Sequence, residues 1–482
     1  MKAEWHLPLV VDLDGTLTPT DTLVESIIKL VKQSPLNLLR MPLWLLKGRA
    51  ALKENIASRI SISAQYLPYR ESLLHYIREE KVMGRQIVLA TAAHKSIAEG
   101  VAKHLGLFDK IIATDATHNL KGKAKLQAIR DSVGNAFVYA GDSQADLPIW
   151  NAAQAAVLVA VAPHTAEAVR RNVTIESEVS KQSVELSIWL RAIRVHQWIK
   201  NLLLFVPLLT AFSFLEIWKL VTMTVAFTAF SFAASASYIV NDLWDLENDR
   251  AHPRKRFRPF ASARLPILNG LAVAGCALLI SFILALTVSK GFFLMLILYL
   301  VLTSTYSWML KEYVLIDVLT LSLLYTLRIL AGSVAIGIKP SSWLLAFSVF
   351  MFLSLALVKR CAELVSLVQN EVLAARGRDY RVTDLVVLWP LGVGAALSAV
   401  VVFGLFISAP ETQARYATPN LLWLIAVGLV YWLGRLWVKT SRGEMHDDPV
   451  VYAIKDRGSR MTVFSMFGVM FVAYFVTLSP SL

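Results

Sequence analysis

The chain has few of the residues on which small secreted proteins and cysteine metal sites depend. Only two of its 482 residues are cysteine, Cys276 and Cys361, and both lie within apolar runs. Neither a disulfide framework nor a cysteine-ligated metal is therefore expected. The N-terminus also lacks the apolar stretch of a secretory signal, because its first six residues include Lys2, Glu4 and His6. We therefore expect no cleaved signal peptide.

Charged residues are scarce as well. They make up 17% of the chain, against 56% for hydrophobic residues, and this composition is too apolar for an ordinary soluble protein. The formal net charge of +13 would suit a nucleic-acid partner. Its distribution indicates another cause, because five or six Lys and Arg residues lie in each of the connections 241–264, 359–384 and 435–460. We expect no nucleic-acid partner.

The chain divides near residue 180. Residues 1–180 predict an α/β domain with a Rossmann-type parallel sheet, because short apolar strands alternate with helical stretches. The predicted strands lie at 7–14, 85–93, 109–116, 135–143 and 155–162. Residues 181–200 interleave aromatic and basic side chains, which predicts an interfacial linker helix. A purely structural linker fits the first half of that segment equally well.

Residues 201–482 predict an all-α membrane domain of about nine transmembrane helices. The spans are expected near 201–215, 220–240, 265–289, 291–310, 314–336, 340–358, 385–408, 416–434 and 461–482. The first span is short and contains Pro207. Because loops rich in Lys and Arg face the cytoplasm, we predict a bacterial inner-membrane protein whose N-terminal domain and active sites are cytoplasmic.

Acidic motifs follow two of the predicted strands. DLDGTL occupies residues 12–17, GDSQAD occupies residues 141–146, and Thr91 stands at the end of a third strand. Open α/β sheets bind ligands at the carboxyl ends of their strands, so we expect these groups to meet in one crevice. The order of motifs resembles the haloacid dehalogenase superfamily over residues 7–165.

This resemblance implies a phosphatase. Asp12 would be the nucleophile that forms an aspartyl-phosphate, and Asp14 would be the general acid and base. Thr91 would donate a hydrogen bond to the phosphoryl oxygens. The lysine that neutralises the phosphate would be Lys125, with Lys123 as the alternative. A degenerate, non-catalytic domain is the other interpretation.

The same resemblance implies a Mg²⁺ site. Its ligands would be Asp12, the Asp14 carbonyl and Asp142, with Asp146 in support. Residues 20–80 lie where the superfamily inserts a helical cap.

Within that cap, the segment 34–48 is apolar and too short to span a membrane. It is either the core of the cap or, in a sharper hypothesis, a membrane-facing lip that admits a lipid-linked substrate. In the second interpretation Leu39, Trp44 and Leu45 form the lip.

A further acidic motif, NDLWDLENDRAHPRKRFRP, occupies residues 241–259 at the end of an apolar run. Spacings of three and four predict that Asp242, Asp245 and Asp249 share one helix face. Mg²⁺ prefers oxygen ligands and is often shared with substrate phosphates, so a metal-phosphate site is the favoured interpretation over a solvated loop. The motif resembles the UbiA superfamily of intramembrane prenyltransferases, over residues 190–482.

The segment YSWMLKEYVLID, residues 306–317, stands where that superfamily has its second acidic region. This segment has fewer acidic residues than the second Asp-rich motif of the aromatic prenyltransferases, which argues against prenyl transfer to an aromatic acceptor. Asp317 and Arg328 are predicted to share a helix face inside an apolar span. Ionisable groups at such depth line a cavity or pair with each other.

Four segments resemble the polyprenyl-phosphate phosphoribosyltransferase branch of the superfamily: 194–201, 241–259, 306–317 and 446–457. The resemblance implies transfer of 5-phosphoribose from phosphoribosyl diphosphate (PRPP) to a polyprenyl phosphate. The implied ligands of the Mg²⁺-diphosphate are Asn241, Asp242, Asp245, Asp249 and Asp317. The implied substrate-binding residues are Lys200, Lys255, Arg256, Arg258, Tyr306 and Lys311. Arg328, Lys359 and Arg360 are further candidates for substrate binding, and for Lys359 and Arg360 snorkelling to the membrane interface fits equally well.

The fusion of the two halves predicts a bifunctional enzyme. The transferase product carries a 5-phosphate, and the phosphatase would remove it to leave polyprenyl-phosphoryl-ribose. The expected partners are PRPP, a polyprenyl phosphate and the bilayer, and a homo-oligomer is left open. The alternatives are a prenyltransferase with an aromatic acceptor, a non-catalytic N-terminal module and a lipid-phosphate transporter.

Overall fold

The computed structural model describes residues 7–115, 118–180, 185–369, 378–445 and 448–477. They form two compact units. The first unit contains the chain up to Arg194 together with Tyr238–Gly275, and the second contains Val195–Ser237 and the chain from Cys276 onward. The first unit therefore includes the acidic motif at 241–249 as well as the N-terminal motifs. The domain boundary expected near residue 180 stays a prediction.

A six-stranded parallel sheet forms the centre of the first unit. Its strands are β1 (Leu9–Val11), β2 (Ile87–His94), β3 (Lys110–Thr114), β4 (Val138–Gly141), β5 (Ala155–Val159) and β6 (Thr174–Val179). Their order in the sheet is β3-β2-β1-β4-β5-β6. The predicted α/β fold and its five strands are confirmed, and β6 is an addition. All pairings are parallel. Strands β2 and β3 are added on one side of β1 and β4 to β6 on the other, so the switch point lies between β1 and β4, where doubly wound sheets bind their ligands.

Nine helices of the first unit precede the acidic motif in sequence. They are α1 (Thr22–Gln33), α2 (Asn37–Leu46), α3 (Arg49–Ala57), α4 (Glu71–Val82), α5 (Lys95–Leu105), α6 (Lys123–Val133), α7 (Leu147–Trp150), α8 (Pro163–Asn172) and α9 (Leu186–Ala192). Helices α1 to α3 are the predicted cap, packed on a small core of their own. Helix α9 lies in the predicted linker, and residues 181–184 of that linker lie outside the described residues.

The apolar segment 34–48 divides its side chains between two environments. Trp44 is only 9% exposed and packs with Leu30, Leu52 and Ile56 in the core of the cap. Leu39 is 74% exposed, and Leu45 is also exposed. Trp44 therefore belongs to the cap core, so the predicted lip would consist of the leucines alone.

The remaining helices belong mostly to the second unit. They are α10 (Val206–Thr210), α11 (Ile217–Trp244), α12 (Leu246–Ala251), α13 (Ile267–Val288), α14 (Lys290–Trp308), α15 (Ile316–Ala335), α16 (Ser342–Gln369), α17 (Leu385–Ser408), α18 (Pro410–Arg415), α19 (Leu422–Ser441), α20 (Pro449–Lys455) and α21 (Arg457–Phe475). Within the described ranges, eight helices are long and apolar enough to cross a membrane. The chain is a multi-pass membrane protein.

The first of the nine predicted spans, 201–215, differs in the structure. It is divided among the 3₁₀ segment Val195–Phe205, the short helix α10 and the 3₁₀ turn Ser213–Leu215. Pro207 lies at the start of α10, and because proline lacks an N–H, a continuous helix cannot bond through it. The other eight predicted spans coincide with long helices.

Candidate functional site

Three carboxylates meet at the switch point of the sheet in the first unit. Asp12 directly follows β1, and Asp142 and Asp146 follow β4. Ligand oxygens of the three lie within 4.8 Å of one another. Gly15 makes this approach possible, because it adopts a positive φ of 77° and a Cβ there would meet the Asp142 carboxylate. The predicted convergence of the two acidic motifs is therefore observed.

A single lysine enters the cluster. The Nζ of Lys125 lies 2.9 Å from Asp12 Oδ1 and donates a hydrogen bond of 2.7 Å to the Tyr139 hydroxyl. Tyr139 in turn donates to Asp146 Oδ1 at 2.8 Å. Lys123, the alternative lysine, is exposed. Sequence reasoning missed Tyr139, because an aromatic residue within an apolar strand is predicted to be part of the hydrophobic core.

Burial and mutual repulsion raise the pKa values of these carboxyl groups. Burial raises the pKa of Asp142 to about 7, with Asp146 and Asp12 adding to the rise. Burial also raises the pKa of Asp12, although Lys125 opposes the shift. The pKa of Asp14 rises to about 7 through burial and the nearby Asp21. A carboxyl group with a pKa near 7 is suited to general acid and base catalysis at neutral pH.

The cluster fits a divalent cation. One buried and two partly buried carboxylates face one lysine, so their negative charge is incompletely balanced, and hard oxygen ligands are what Mg²⁺ prefers. Helix α1 supports the site from the cap, because Asp21 caps it by accepting from the N–H groups of Leu23 and Val24. The same turn directs the Thr22 N–H onto Asp14 Oδ1 at 2.9 Å.

A cavity of about 580 Å³ opens at the cluster. Its walls include the cap helices, the end of β2 at Ala92–His94, and the later segment from Phe260 to Asn269. Thr91 is not among the lining residues; it is fully buried, and its hydroxyl accepts from the Ala93 N–H. Its phosphate-binding role stays a prediction. No local sequence signal placed residues 260–269, which overlap the start of the span predicted at 265–289, at this cavity.

The acidic motif at 241–249 is not one continuous helix face. Helix α11 ends at Trp244 and α12 begins at Leu246, so Asp245 lies at the break. Asp242 and Asp249 face the same side, because Arg258 pairs with both, at 3.1 and 2.7 Å. Asp245 instead pairs with Lys32 of α1 at 3.1 Å. The prediction of a single face is wrong for Asp245.

Each carboxylate of this motif has a basic partner. Besides Arg258, Arg194 pairs with Asp242. Burial raises the pKa of Asp249, and Arg258 opposes that shift. Of the other predicted phosphate-binding residues here, Lys255 and Arg256 are exposed, and Asn241 is partly buried. The oxygen donors suit Mg²⁺ chemically, but within the described ranges they do not form a group of three close ligand atoms, unlike the Asp12 cluster.

Helix α1 of the cap is joined to the acidic motif by three ion pairs. Arg250 forms two hydrogen bonds with Glu25, of 2.8 and 2.6 Å, and both side chains are under a tenth exposed. Lys29 pairs with Glu247 at 2.7 Å, and Lys32 pairs with Asp245. Sequence reasoning missed this contact, because the partners are more than 200 residues apart.

In the second unit, two predicted basic residues converge on a carboxylate that sequence reasoning did not assign. Asp448 accepts from Lys200 at 2.9 Å and lies 3.4 Å from the Lys359 Nζ. Burial alone would raise the pKa of Asp448, but the two lysines lower it to about 2. This contact joins the predicted motifs at 194–201 and 446–457, although His446 and Asp447 lie outside the described residues.

Asp317 and Arg328 do not pair with each other. Asp317 is fully buried, 2.5 Å from Arg360, and accepts a hydrogen bond of 2.9 Å from Tyr306. Arg360 also pairs with Glu363. A carboxylate held in this way is a counter-ion for Arg360. Metal binding by Asp317 and substrate binding by Arg360 stay predictions.

Arg328 has neutral partners. It donates to Asn201 Oδ1 at 3.0 Å, to the Leu324 carbonyl at 2.7 Å and to the Tyr299 hydroxyl at 3.2 Å. Its charge is therefore not cancelled by these contacts. Lys311, in the 3₁₀ turn Leu310–Glu312, is partly buried.

Two family models match the chain. The model of the UbiA prenyltransferase family matches residues 202–455, and that of haloacid dehalogenase-like hydrolases matches residues 9–150. The N-terminal part is thus a haloacid dehalogenase-like domain, and the C-terminal part is UbiA-like.

Several proteins are similar in sequence. The protein y4nM of Sinorhizobium fredii is 41% identical, covering 94% of this chain and 88% of its own. Nodulation protein NoeC of Azorhizobium caulinodans is 34% identical over 59% of this chain and 92% of its own. Decaprenyl-phosphate phosphoribosyltransferase of Corynebacterium glutamicum is 34% identical over 47% of this chain and 69% of its own.

Proposed function

The chain belongs to the UbiA prenyltransferase family, and we propose that it is a bifunctional enzyme that makes and then dephosphorylates a ribosylated lipid. Its membrane part would transfer 5-phosphoribose from PRPP to a polyprenyl phosphate. Its haloacid dehalogenase-like domain would remove the 5-phosphate, leaving polyprenyl-phosphoryl-ribose. Similarity to decaprenyl-phosphate phosphoribosyltransferase supports the first step.

The main support for two activities acting on one lipid is the set of residues that line the cavity at the Asp12 cluster. Its wall includes Leu265, Ile267 and Leu268, and α13, which begins at Ile267, is long and apolar enough to cross a membrane. A soluble phosphatase has no need of such a wall. A phosphate ester attached to a membrane lipid would reach the Asp12 cluster along it.

In the transferase step, an oxygen of the lipid phosphate attacks C1 of the ribose and the diphosphate departs with the bonding electrons. Asn241, Asp242, Asp245 and Asp249 would hold Mg²⁺, which would neutralise the charge on the leaving group. Arg194 and Arg258, which pair with Asp242, have the planar guanidinium groups that bind diphosphate oxygens in pairs.

Other basic residues would hold the remaining phosphate groups. We assign this role to Lys200, Lys255, Arg256, Lys311, Arg328 and Lys359. Tyr306 and Arg360 would position Asp317 within the fold, since each of them contacts the Asp317 carboxylate.

In the phosphatase step, Asp12 attacks the phosphorus and the ester oxygen leaves with a proton from Asp14. Asp14 then takes a proton from the water that hydrolyses the aspartyl-phosphate, which releases inorganic phosphate and regenerates Asp12. Lys125 stabilises the charge on the phosphoryl oxygens. Asp12, Asp142 and Asp146 would hold Mg²⁺, which would offset the repulsion between Asp12 and the phosphate.

One experiment tests both steps. The purified protein is incubated with Mg²⁺, PRPP and a polyprenyl phosphate, and the lipid products are weighed by mass spectrometry. The wild type should yield a ribosylated lipid without the 5-phosphate, and Asp12→Asn should accumulate the 5-phosphorylated lipid. Asp245→Ala should yield neither product.

Two results would contradict the proposal. If PRPP is inert while a prenyl diphosphate is consumed with an aromatic acceptor, the membrane part is a prenyltransferase of the usual kind. If Asp12→Asn gives the same final product as the wild type, the N-terminal domain does not act on the lipid.

A further inference from the structure

The phosphatase cavity contains more basic residues than a phosphomonoester requires. Arg49, Lys53, Lys121 and Lys125 all line it. Of these, Lys125 is the one that pairs with Asp12 in the carboxylate cluster. The other three belong to the cap helix α3 and to the loop before α6, so they lie on the substrate side of the cavity.

Lys53 is anchored by neutral groups. Its Nζ donates to the Ala92 carbonyl at 2.6 Å and to Asn119 Oδ1 at 2.7 Å, which holds α3 against the end of β2. Because both acceptors are uncharged, the positive charge of Lys53 stays available to an anion in the cavity. Burial lowers the pKa of Lys53; Lys121 and Arg49 act in the same direction, while Asp14 and Asp21 oppose it.

The other two basic residues extend this positive region. Arg49 lies four residues before Lys53 on α3, so the two side chains share a helix face. Lys121 precedes α6, whose first turn carries Lys125. Arg49 and Lys121 are both exposed, so they can rearrange around a ligand without unpacking a core.

The charges of the lining residues can be compared with the charges of the phosphate groups that the substrate would bring. Bound Mg²⁺ and Lys125 would together balance the three ionised carboxylates of the Asp12 cluster, and Asp14 and Asp21 also line the cavity. A phosphomonoester dianion and a phosphodiester monoanion together bring three further negative charges. The basic residues that are left to face these charges are Arg49, Lys53 and Lys121, and Asp14 and Asp21 offset part of the charge of Lys53.

We propose that Arg49, Lys53 and Lys121 form a second anion subsite, so that the cavity takes a substrate with two phosphate groups. The phosphomonoester to be hydrolysed lies at Asp12, and a phosphodiester lies at the subsite. This rests on the proposed function, whose lipid intermediate carries a 5-phosphate and a phosphodiester at C1. The subsite would distinguish it from ribose 5-phosphate and other simple esters.

The test compares two soluble substrates with the full-length protein and Mg²⁺. One is ribose 5-phosphate, and the other is ribose 5-phosphate with an ethyl phosphodiester at C1. The wild type should have the lower KM for the second. Arg49→Gln and Lys121→Gln should each raise that KM about tenfold, because each removes a charge-assisted hydrogen bond. Both should leave kcat/KM for ribose 5-phosphate within about twofold.

Lys47→Gln is the matched control. Lys47 is an exposed basic residue two positions from Arg49 that does not line the cavity, so its substitution should change neither KM. If Arg49→Gln and Lys121→Gln affect both substrates equally, or neither, the subsite is refuted while the phosphatase function stands. If the wild type hydrolyses neither soluble substrate nor the lipid intermediate, the proposed phosphatase function fails, and the subsite fails with it.

Discussion

The two carboxylate clusters of the first unit differ in how far basic side chains balance their negative charge. Ligand oxygens of Asp12, Asp142 and Asp146 lie within 4.8 Å of one another, and Lys125 pairs with Asp12 and Asp146. The carboxylates of the 241–249 motif are instead spread over a helix break and paired with Arg194, Arg258 and Lys32. The first cluster has an excess of negative charge, whereas the second is balanced.

This difference has a consequence for metal binding. Where carboxylates outnumber basic groups, a cation relieves repulsion, so Mg²⁺ should bind without substrate. Where each carboxylate already has a basic partner, Mg²⁺ has to displace that partner. A diphosphate could accept the released guanidinium groups, so metal and substrate should bind the second cluster together.

The largest expected effect comes from removing the one lysine of the unbalanced cluster. Lys125→Ala should lower phosphatase kcat about 10²–10³-fold, because it removes the positive charge beside Asp12 and a donor to Tyr139. Lys123→Ala is the control, since Lys123 is exposed. Initial rates with a phosphate ester provide the measurement. A loss in the control as large as in Lys125→Ala would contradict the assignment.

The next effect concerns the contact that holds the balanced cluster against α1. Arg250→Ala should destabilise the first unit by about 3–5 kcal/mol, because it leaves Glu25 buried without its partner. Glu247→Ala breaks a more exposed pair with Lys29 and should cost at most about 1 kcal/mol. Denaturant titration of phosphatase activity compares the two. If both variants lowered the free energy of unfolding equally, the buried Glu25–Arg250 pair would contribute no more to stability than the exposed Lys29–Glu247 pair.

Metal binding and pH test the charge difference directly. The pKa values of Asp14 and Asp142 rise from 3.8 to about 7 in the folded protein, so the folded state binds extra protons in this range. Without metal, stability should therefore fall as the pH rises from about 4 to 7. Mg²⁺ competes with the proton on Asp142, so its affinity should be about 100-fold weaker at pH 5 than at pH 8.

Calorimetric titration without substrate measures that affinity. Asp142→Asn should abolish the binding, whereas Asp242→Asn should leave it unchanged. Binding that depends on Asp242 under these conditions would overturn the comparison between the two clusters.

The smallest effect concerns the lip of the cap. Leu39→Ser and Leu45→Ser should lower hydrolysis of a lipid-linked phosphate about tenfold, because both leucines are exposed and would contact the bilayer. Hydrolysis of a soluble ester should be unaffected. Val82→Ser, an exposed apolar position on α4, serves as the control. Equal losses on both substrates would remove the lip hypothesis.

Much of the fold was predictable because its signals are local. The five apolar strands, the motifs at their ends and the eight long apolar helices all depend on neighbouring residues. The span expected at 201–215 was wrong because hydropathy does not register the backbone break at Pro207. The shared face of Asp317 and Arg328 did not lead to pairing, because helix periodicity says nothing about the residues on neighbouring helices.

The sequence by itself determined the two families and the composition of both acidic motifs, since each depends on a short stretch of chain. Tertiary structure decided which basic residue each carboxylate meets and which segments line the phosphatase cavity. Residues 260–269 and helix α1 lie far from their partners in sequence. Such contacts depend on how helices and strands pack, and no local pattern encodes that packing.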